Sequence, residues 1–294
     1  MRYLVSLTLA GIVTSCGPQT QATSTRTQLK VDDSEFSYHG GSVLHNAGLT
    51  AIFWGPSWTS ASRGEVGTFL QGFPGSDYAD IASQYADDDG PASIGVDLLE
   101  QQIDTSNSVS FSDTDTDVLK LGKYVCKINN SEIESNHIYI VLTDMPPSLE
   151  SNGKPSACGW HSYFSCGTGT RSTIIYVPKL DRTGYCSVGD TTSKHNNTIA
   201  SMVNVAAHEI METITDPFID AWYSVEQKDS ATCSQNESCE IADKCSWNFP
   251  KDDKGNDRLT KLANGTLWKL QNQWSKEAFH TKGNGCVSSS GSID

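Results

Sequence analysis

Basic residues are scarce in this chain: 21 Lys and Arg stand against 35 Asp and Glu, a formal net charge of −14 over 294 residues. They form no run, and phosphate binding needs clustered cations, so a general nucleic-acid binder is excluded. Apolar stretches stop at about a dozen residues, short of the roughly 20 that a membrane-crossing helix needs. No internal repeat is visible. A CxxC pair is missing, which leaves little for a thiolate metal cluster, and so is the GxSxG elbow of the serine hydrolases. What the chain does have is 37% hydrophobic residues, with 7 Trp, 10 Tyr and 9 Phe among them. That is enough to bury a core, and it rules out wholesale disorder, collagen and coiled coil. The acidic balance suits cationic small molecules, metals or neutral polymers as partners.

The N-terminus reads as an export signal over residues 1–15: Arg2, a short apolar stretch from Tyr3 to Val13, then small residues. Val13-Thr14-Ser15-Cys16 has the form of a bacterial lipobox, which makes Cys16 the expected lipid anchor. The competing reading is an ordinary secretory signal cut a few residues later. Residues 16–35, rich in Thr, Ser and Gln, read as a tether. A single domain is expected over residues 36–286, and a flexible tail over 287–294.

Setting Cys16 aside leaves eight cysteines, at 126, 158, 166, 186, 233, 239, 245 and 286. An even count in an exported chain reads as four disulfides. Spacing alone leaves the connectivity open, with Cys158–Cys166 and Cys233–Cys239 as the short loops it suggests. Four Asn-x-Ser/Thr sequons, at Asn129, Asn196, Asn236 and Asn264, are attributed to chance in a chain this rich in those residues.

Along the chain, residues 36–58 suggest a strand pair or hairpin, followed by a helix from Ser60 to Leu70. A short helix is expected near Tyr78 to Tyr85, and another over Val118 to Val125, started by Ser112, Asp113 and Asp115. The run Asp113-Thr114-Asp115-Thr116-Asp117 is no calcium loop, because Val118 and Tyr124 occupy the positions that need Gly and Glu. Ile138–Leu142 and Thr173–Val177 read as buried strands. A long helix should run from Thr198 to Ile214, capped by Asn196 or Asn197 and stopped by Asp216-Pro217. The remainder is turn-rich and Cys-rich, with Leu267–Trp274 its last apolar patch. His45, His137, His195 and His280 default to the surface, and most tryptophans to the core.

The sharpest local signal is His208-Glu209-Ile210-Met211-Glu212 inside the long helix. At 3.6 residues per turn, His208 and Glu212 share one face with Glu209 beside them. This is the HExxH arrangement of zinc peptidases with the second His replaced by a carboxylate, a donor that zinc accepts at much the same distance. His208 and Glu212 are therefore candidate metal ligands, and Glu209 the candidate general base. A third ligand must come from elsewhere: Asp216, His161, Glu240 or Asp243, with the last two favoured because cysteines flank their segment. His161 is assigned to polarise a scissile carbonyl. The order strand, strand, long helix implies an α/β (α+β), zincin-like fold. It would have a mixed sheet, an active-site helix and a disulfide-rich C-terminal part, with Zn2+ as the cofactor.

Several segments, in order, resemble the phosphate-induced protein 1 family, known in plants as EXORDIUM. They are Tyr38-His39-Gly40-Gly41-Ser42-Val43-Leu44, Ile52-Phe53-Trp54-Gly55-Pro56-Ser57-Trp58, Ala157-Cys158-Gly159-Trp160-His161, Thr215-Asp216-Pro217 and Glu240-Ile241-Ala242-Asp243-Lys244-Cys245. The resemblance implies an extracellular or cell-wall protein with no settled biochemical activity. The lipobox and the HExxE motif point to a bacterial lipoprotein member, at the outer membrane or cell surface and otherwise secreted. Two functions follow as expectations. One is a metal-dependent hydrolase acting on a peptide or cell-wall polymer. The other is a non-catalytic extracellular module of the same fold that binds such a polymer or a protein partner.

Overall fold

A computed structural model describes residues 36–167, 169–180, 184–189, 194–224 and 239–290, with the backbone alone described at 96–98. The expected signal, Cys16, the tether, Cys233 and Asn236 lie outside the described residues. In chain order the elements are β1 (Ser37–Tyr38), β2 (Ala47–Trp54), α1 (Ser60–Gly72), β3 (Ile94–Asp104), α2 (Asp115–Ile128), β4 (His137–Thr143), β5 (Trp160–Ser165), β6 (Arg171–Val177) and α3 (Asn197–Thr215). There follow β7 (Trp222–Tyr223), β8 (Thr260–Lys261), β9 (Leu267–Trp268), β10 (Gln273–Trp274), α4 (Lys276–Lys282) and β11 (Cys286–Val287), with 3-10 turns at Ala79–Gln84 and Asp243–Cys245.

A five-stranded mixed sheet in the order β3-β2-β4-β6-β5 organises the molecule. The β2, β3, β4 and β6 pairings are parallel, and β5 closes one edge antiparallel to β6. Strands β2 and β4 are buried at every position, so they read as continuous apolar runs instead of alternating ones. Their side chains divide with period two. Leu49, Ala51, Phe53, Ile138, Ile140, Leu142, Ile175 and Val177 pack with α1 and α3, whereas Ile52, Tyr139, Val141, Ile174 and Tyr176 pack with α2. The chain is thus mixed α/β, with helices on both faces of one sheet.

Three expectations need correction. Residues 36–58 form no hairpin: β1 pairs with β7, and β2 sits in the middle of the large sheet because both of its faces are covered. Helix α2 has Thr114 as its N-cap, with no side-chain cap bond; Asp115 stands in the first turn as expected, but Ser112 donates from N and Oγ to Asp117 Oδ2, at 2.9 and 2.6 Å, instead of capping the helix. His137 is buried and its ring bonds Thr50 Oγ1 at 2.8 Å, since β4 is covered on both faces.

The disulfides are Cys126–Cys166, Cys158–Cys186 and Cys245–Cys286. The suggested Cys158–Cys166 pairing fails for a geometric reason. Strand β5 lies between the two residues, and eight extended residues span roughly 25 Å, against Cα separations of 5.4 and 5.5 Å in the bridges these two cysteines make. Cys239 is also disulfide-bonded. At the C-terminal end, Val287 pairs with Gln273, and Ser290 bonds Asp77 O and Asp80 Oδ2 at 2.8 and 2.7 Å. Packing therefore continues into the stretch read as a tail. No described helix is long and apolar enough to cross a membrane.

Candidate metal centre

Helix α3 is buried along most of its 19 residues, because the sheet covers one side and the C-terminal part the other. Asn196 Oδ1 accepts from Thr198 N at 2.9 Å to start it, and Asp216 ends it. Hydroxyls with no access to water turn back onto the helix: Thr213 Oγ1 donates to Glu209 O at 2.6 Å and Thr215 Oγ1 to Met211 O at 2.9 Å. Period two on β5 sends Trp160 and Phe164 into the α2-side core, which turns His161 toward α3. The turn Asp243–Cys245 meets the helix where Asp243 N donates to Glu212 Oε1 at 3.1 Å, and it is tied to Cys286 by its last residue.

Six of the residues singled out by sequence come together here. His208 Nε2 lies 3.1 Å from Glu212 Oε1 and 3.4 Å from Asp243 Oδ1. His161 Nδ1 lies 3.4 Å from Glu209 Oε2 and 3.6 Å from Glu212 Oε2, while its Nε2 faces Glu240 Oε1 at 3.6 Å. Two triads, His208–Glu212–Asp243 and His161–Glu209–Glu212, each bring one ligand atom per residue within 4.8 Å of one another. A tetrahedral cation with bonds of about 2.0–2.1 Å has ligands about 3.3–3.4 Å apart. The His–carboxylate separations, 3.1–3.6 Å, lie near that edge, and His and carboxylate donors are of the type zinc accepts.

Asp216 belongs to neither triad. Its Oδ1 accepts from Asp220 N and Ala221 N, both at 2.7 Å, and so holds the turn after α3. His161 has both ring nitrogens directed at carboxylates, and its side chain is 4% exposed. Sequence reasoning missed Gln271. Its backbone N donates to Asn204 Oδ1 at 2.8 Å, and its Nε2 donates to Ala242 O at 3.0 Å and lies 2.9 Å from His208 Nδ1. A donor at Nδ1 leaves the ring proton on Nε2, aimed at Glu212; a cation at Nε2 needs that amide turned to present its oxygen. The only sequence hint is a polar run, Gln271-Asn272-Gln273, inside the last apolar patch.

Electrostatically the cluster is acid-rich and buried. Burial pushes Glu209, Glu240, Asp243 and Asp216 above the usual carboxylate range. Burial acts in the same direction on Glu212, but the imidazoles of His208 and His161 outweigh it and hold that group low. Both imidazoles lose solvation, yet the carboxylates around them raise them well above the ordinary histidine range, led by Glu240 for His161 and by Glu212 for His208. His161 Nε2, Glu240 Oε1 and Asp216 Oδ2 are buried with no hydrogen-bond partner among the described residues. A cavity of about 430 Å3 lies elsewhere, at the carboxyl ends of β2 and β4, lined by Trp58, Glu65, Asp144, Lys179 and Met202 among others; no member of the cluster lines it.

Residues 36–256 match the phosphate-induced protein 1 conserved region. The chain belongs to the phosphate-induced protein 1 family. The matched region contains β1 to β7 and every residue of both triads, while the structure adds Gln271 and the Cys286 tether beyond it. No curated protein and no solved structure matches the chain.

Proposed function

We propose that this family member is an exported, lipid-anchored hydrolase that binds zinc through His208, Glu212 and Asp243 and cleaves a peptide or cell-wall polymer. The observation that carries the reading is the approach of His208 Nε2 to Glu212 and Asp243 at 3.1 and 3.4 Å, at the edge length of a zinc polyhedron. The long helix under a mixed sheet, with an antiparallel edge strand beside the cluster, supports a zincin-like architecture. Bound zinc supplies a Lewis acid that lowers the pKa of water. Glu209 then accepts the proton and returns it to the leaving group. Burial raises its carboxyl, which moves it toward the range where it can do both near neutral pH. The disulfides support an oxidising compartment, in keeping with the export signal, and the lipobox makes Cys16 the proposed anchor.

One observation favours the non-catalytic reading: the His161, Glu209 and Glu212 side chains are only 4–7% exposed. The test is the zinc content of the purified, oxidised protein beside His208→Ala and Glu212→Gln variants. Stoichiometric zinc lost in the variants supports the site, and hydrolysis abolished in Glu209→Gln supports catalysis. Zinc absent after zinc is supplied overturns the hydrolase, leaving an extracellular binding module. Partition into detergent that disappears in Cys16→Ser tests the anchor.

A further inference from the structure

Glu212 belongs to both triads, with different oxygens: Oε1 faces His208 and Oε2 faces His161. We propose that the protein holds a second divalent cation, between His161 Nδ1, Glu209 Oε2 and Glu212 Oε2, so that Glu212 bridges two cations. This rests on the first cation site proposed above and extends it.

Three observations carry the assignment. The first is spacing. Charge-assisted N–H···O bonds close to about 2.7–2.9 Å, whereas His161 Nδ1 keeps Glu209 and Glu212 at 3.4 and 3.6 Å. Those values suit ligands arranged around an ion better than an ion pair in contact.

The second is orientation. A metal-bound imidazole carries its proton on the nitrogen away from the metal and gives it to a carboxylate. His161 has that arrangement: Nδ1 toward Glu209 and Glu212, Nε2 toward Glu240 Oε1. His161 Nε2 and Glu240 Oε1 are both buried and lack any other partner. Glu240 thus acts as a positioning residue, and closing this 3.6 Å gap would satisfy both atoms together.

The third is charge. Glu209, Glu212, Asp216 and Glu240 are buried, and with the half-buried Asp243 they gather around two imidazoles. With all five carboxylates ionised and both rings neutral, one dication leaves three negative charges and two dications leave one; one dication beside a protonated His161 leaves two. Buried carboxylates without counter-charge are costly, so two cations match the cluster better than one. In the doubly loaded protein Glu209 is a ligand, and it serves as base only when the inner position is empty.

The experiment is equilibrium dialysis of the oxidised full chain against zinc, with bound zinc counted by mass spectrometry. Wild type should hold two equivalents, and His161→Gln and His208→Gln one each. Glu212→Gln should weaken both equivalents together, because it is shared. Glu240→Gln should weaken one equivalent at least 10-fold and leave the other unchanged, and it serves if His161→Gln fails to fold. One equivalent in wild type that survives His161→Gln overturns the second site and leaves the first intact. One equivalent lost in His161→Gln and kept in His208→Gln overturns the bridge and moves the single site inward. No zinc in any form overturns both.

Discussion

Gly159→Ala is the sharpest test of how the sheet sets the site. A Cβ at Gly159 would overlap Val205 Cγ1, and would stand 2.9 Å from Tyr176 O and 3.3 Å from Glu209 Oε1. Carbon atoms settle about 3.5–4.0 Å apart, so Val205 must retreat by on the order of 1 Å. Tyr176 O is backbone of β6, held between β4 and β5, and cannot yield. Val205 is buried and β-branched, with essentially one rotamer open to it in a helix, so the movement falls on α3 itself. Overpacking of this kind costs about 1–3 kcal/mol. The same shift lengthens the His161–Glu209 and His161–Glu212 separations of 3.4 and 3.6 Å, while metal sites tolerate deviations of only about 0.2 Å.

Urea unfolding in the presence of chelator should therefore show a loss of about 1–3 kcal/mol, and zinc affinity should fall in the folded variant. Adding Val205→Ala removes the clashing methyl. The double variant should regain at least about 1 kcal/mol relative to the sum of the single effects, as expected for residues in contact. An unfolding free energy within about 0.5 kcal/mol of wild type, or no coupling to Val205, would refute the claim that Gly159 sets the distance between β5 and α3.

Zinc at 100 times its dissociation constant should stabilise the wild-type protein by about 2.7 kcal/mol, a rise of roughly 5–10 °C in Tm for a chain of this size; Glu212→Gln should show little of that rise in a thermal scan. Replacing Cys245 and Cys286 by Ala opens a loop with a sequence separation of 41 and should cost up to about 4 kcal/mol on the chain-entropy estimate. It should also weaken zinc binding, whereas removing Cys126–Cys166, with a separation of 40, should cost similar stability and spare the zinc on His208. Asp117 is held at about 2 by the Lys120 ammonium and by Ser112. Because its folded pKa lies below the unfolded one, it contributes stability above about pH 4 that disappears as pH falls through 2. Asp117→Asn should accordingly cost about 1 kcal/mol at pH 6, after allowance for solvent screening, and nothing near pH 2; a difference independent of pH would count against the assignment.

The features that sequence made legible are those written locally. Helix α3 carries its own start at Asn196 and stop at Asp216-Pro217, and the HEIME spacing places His208 and Glu212 on one face without reference to the rest of the chain. Strands β4 and β6 are apolar runs because both their faces are covered. Strand β5 gives no such signal: as an antiparallel edge it mixes buried, half-buried and exposed positions through Trp-His-Ser-Tyr-Phe-Ser. The delivery of His161 to α3 depends on its pairing with β6, which sequence does not display. Strand β3 is an edge as well, and its Glu100-Gln101-Gln102 stretch hides it. Gln271 reaches His208 from 63 residues away through a fold contact that no local pattern encodes.

Export, disulfides and the metal centre are parts of one assembly problem. Glu240 and Asp243 reach α3 from a short segment whose buried apolar side chains are Cys239, Ile241, Ala242 and Cys245. That segment is placed by anchors: the Ser224–Cys239 backbone bridge, Trp274 N donating to Ile241 O at 3.0 Å, Gln271 Nε2 donating to Ala242 O at 3.0 Å, and the Cys245–Cys286 bond. One of these is covalent and forms only where thiols are oxidised. His161 lies on β5, which Cys158–Cys186 and Cys126–Cys166 bracket at its two ends, so its placement also draws on oxidised thiols, whereas Glu209 and Glu212 depend on helix packing. A chain folded under reducing conditions should keep His208, Glu209 and Glu212 together on α3 and lose the fixed positions of His161 and Asp243. The outer triad, whose Asp243 is its most exposed member, is then complete only where thiols are oxidised.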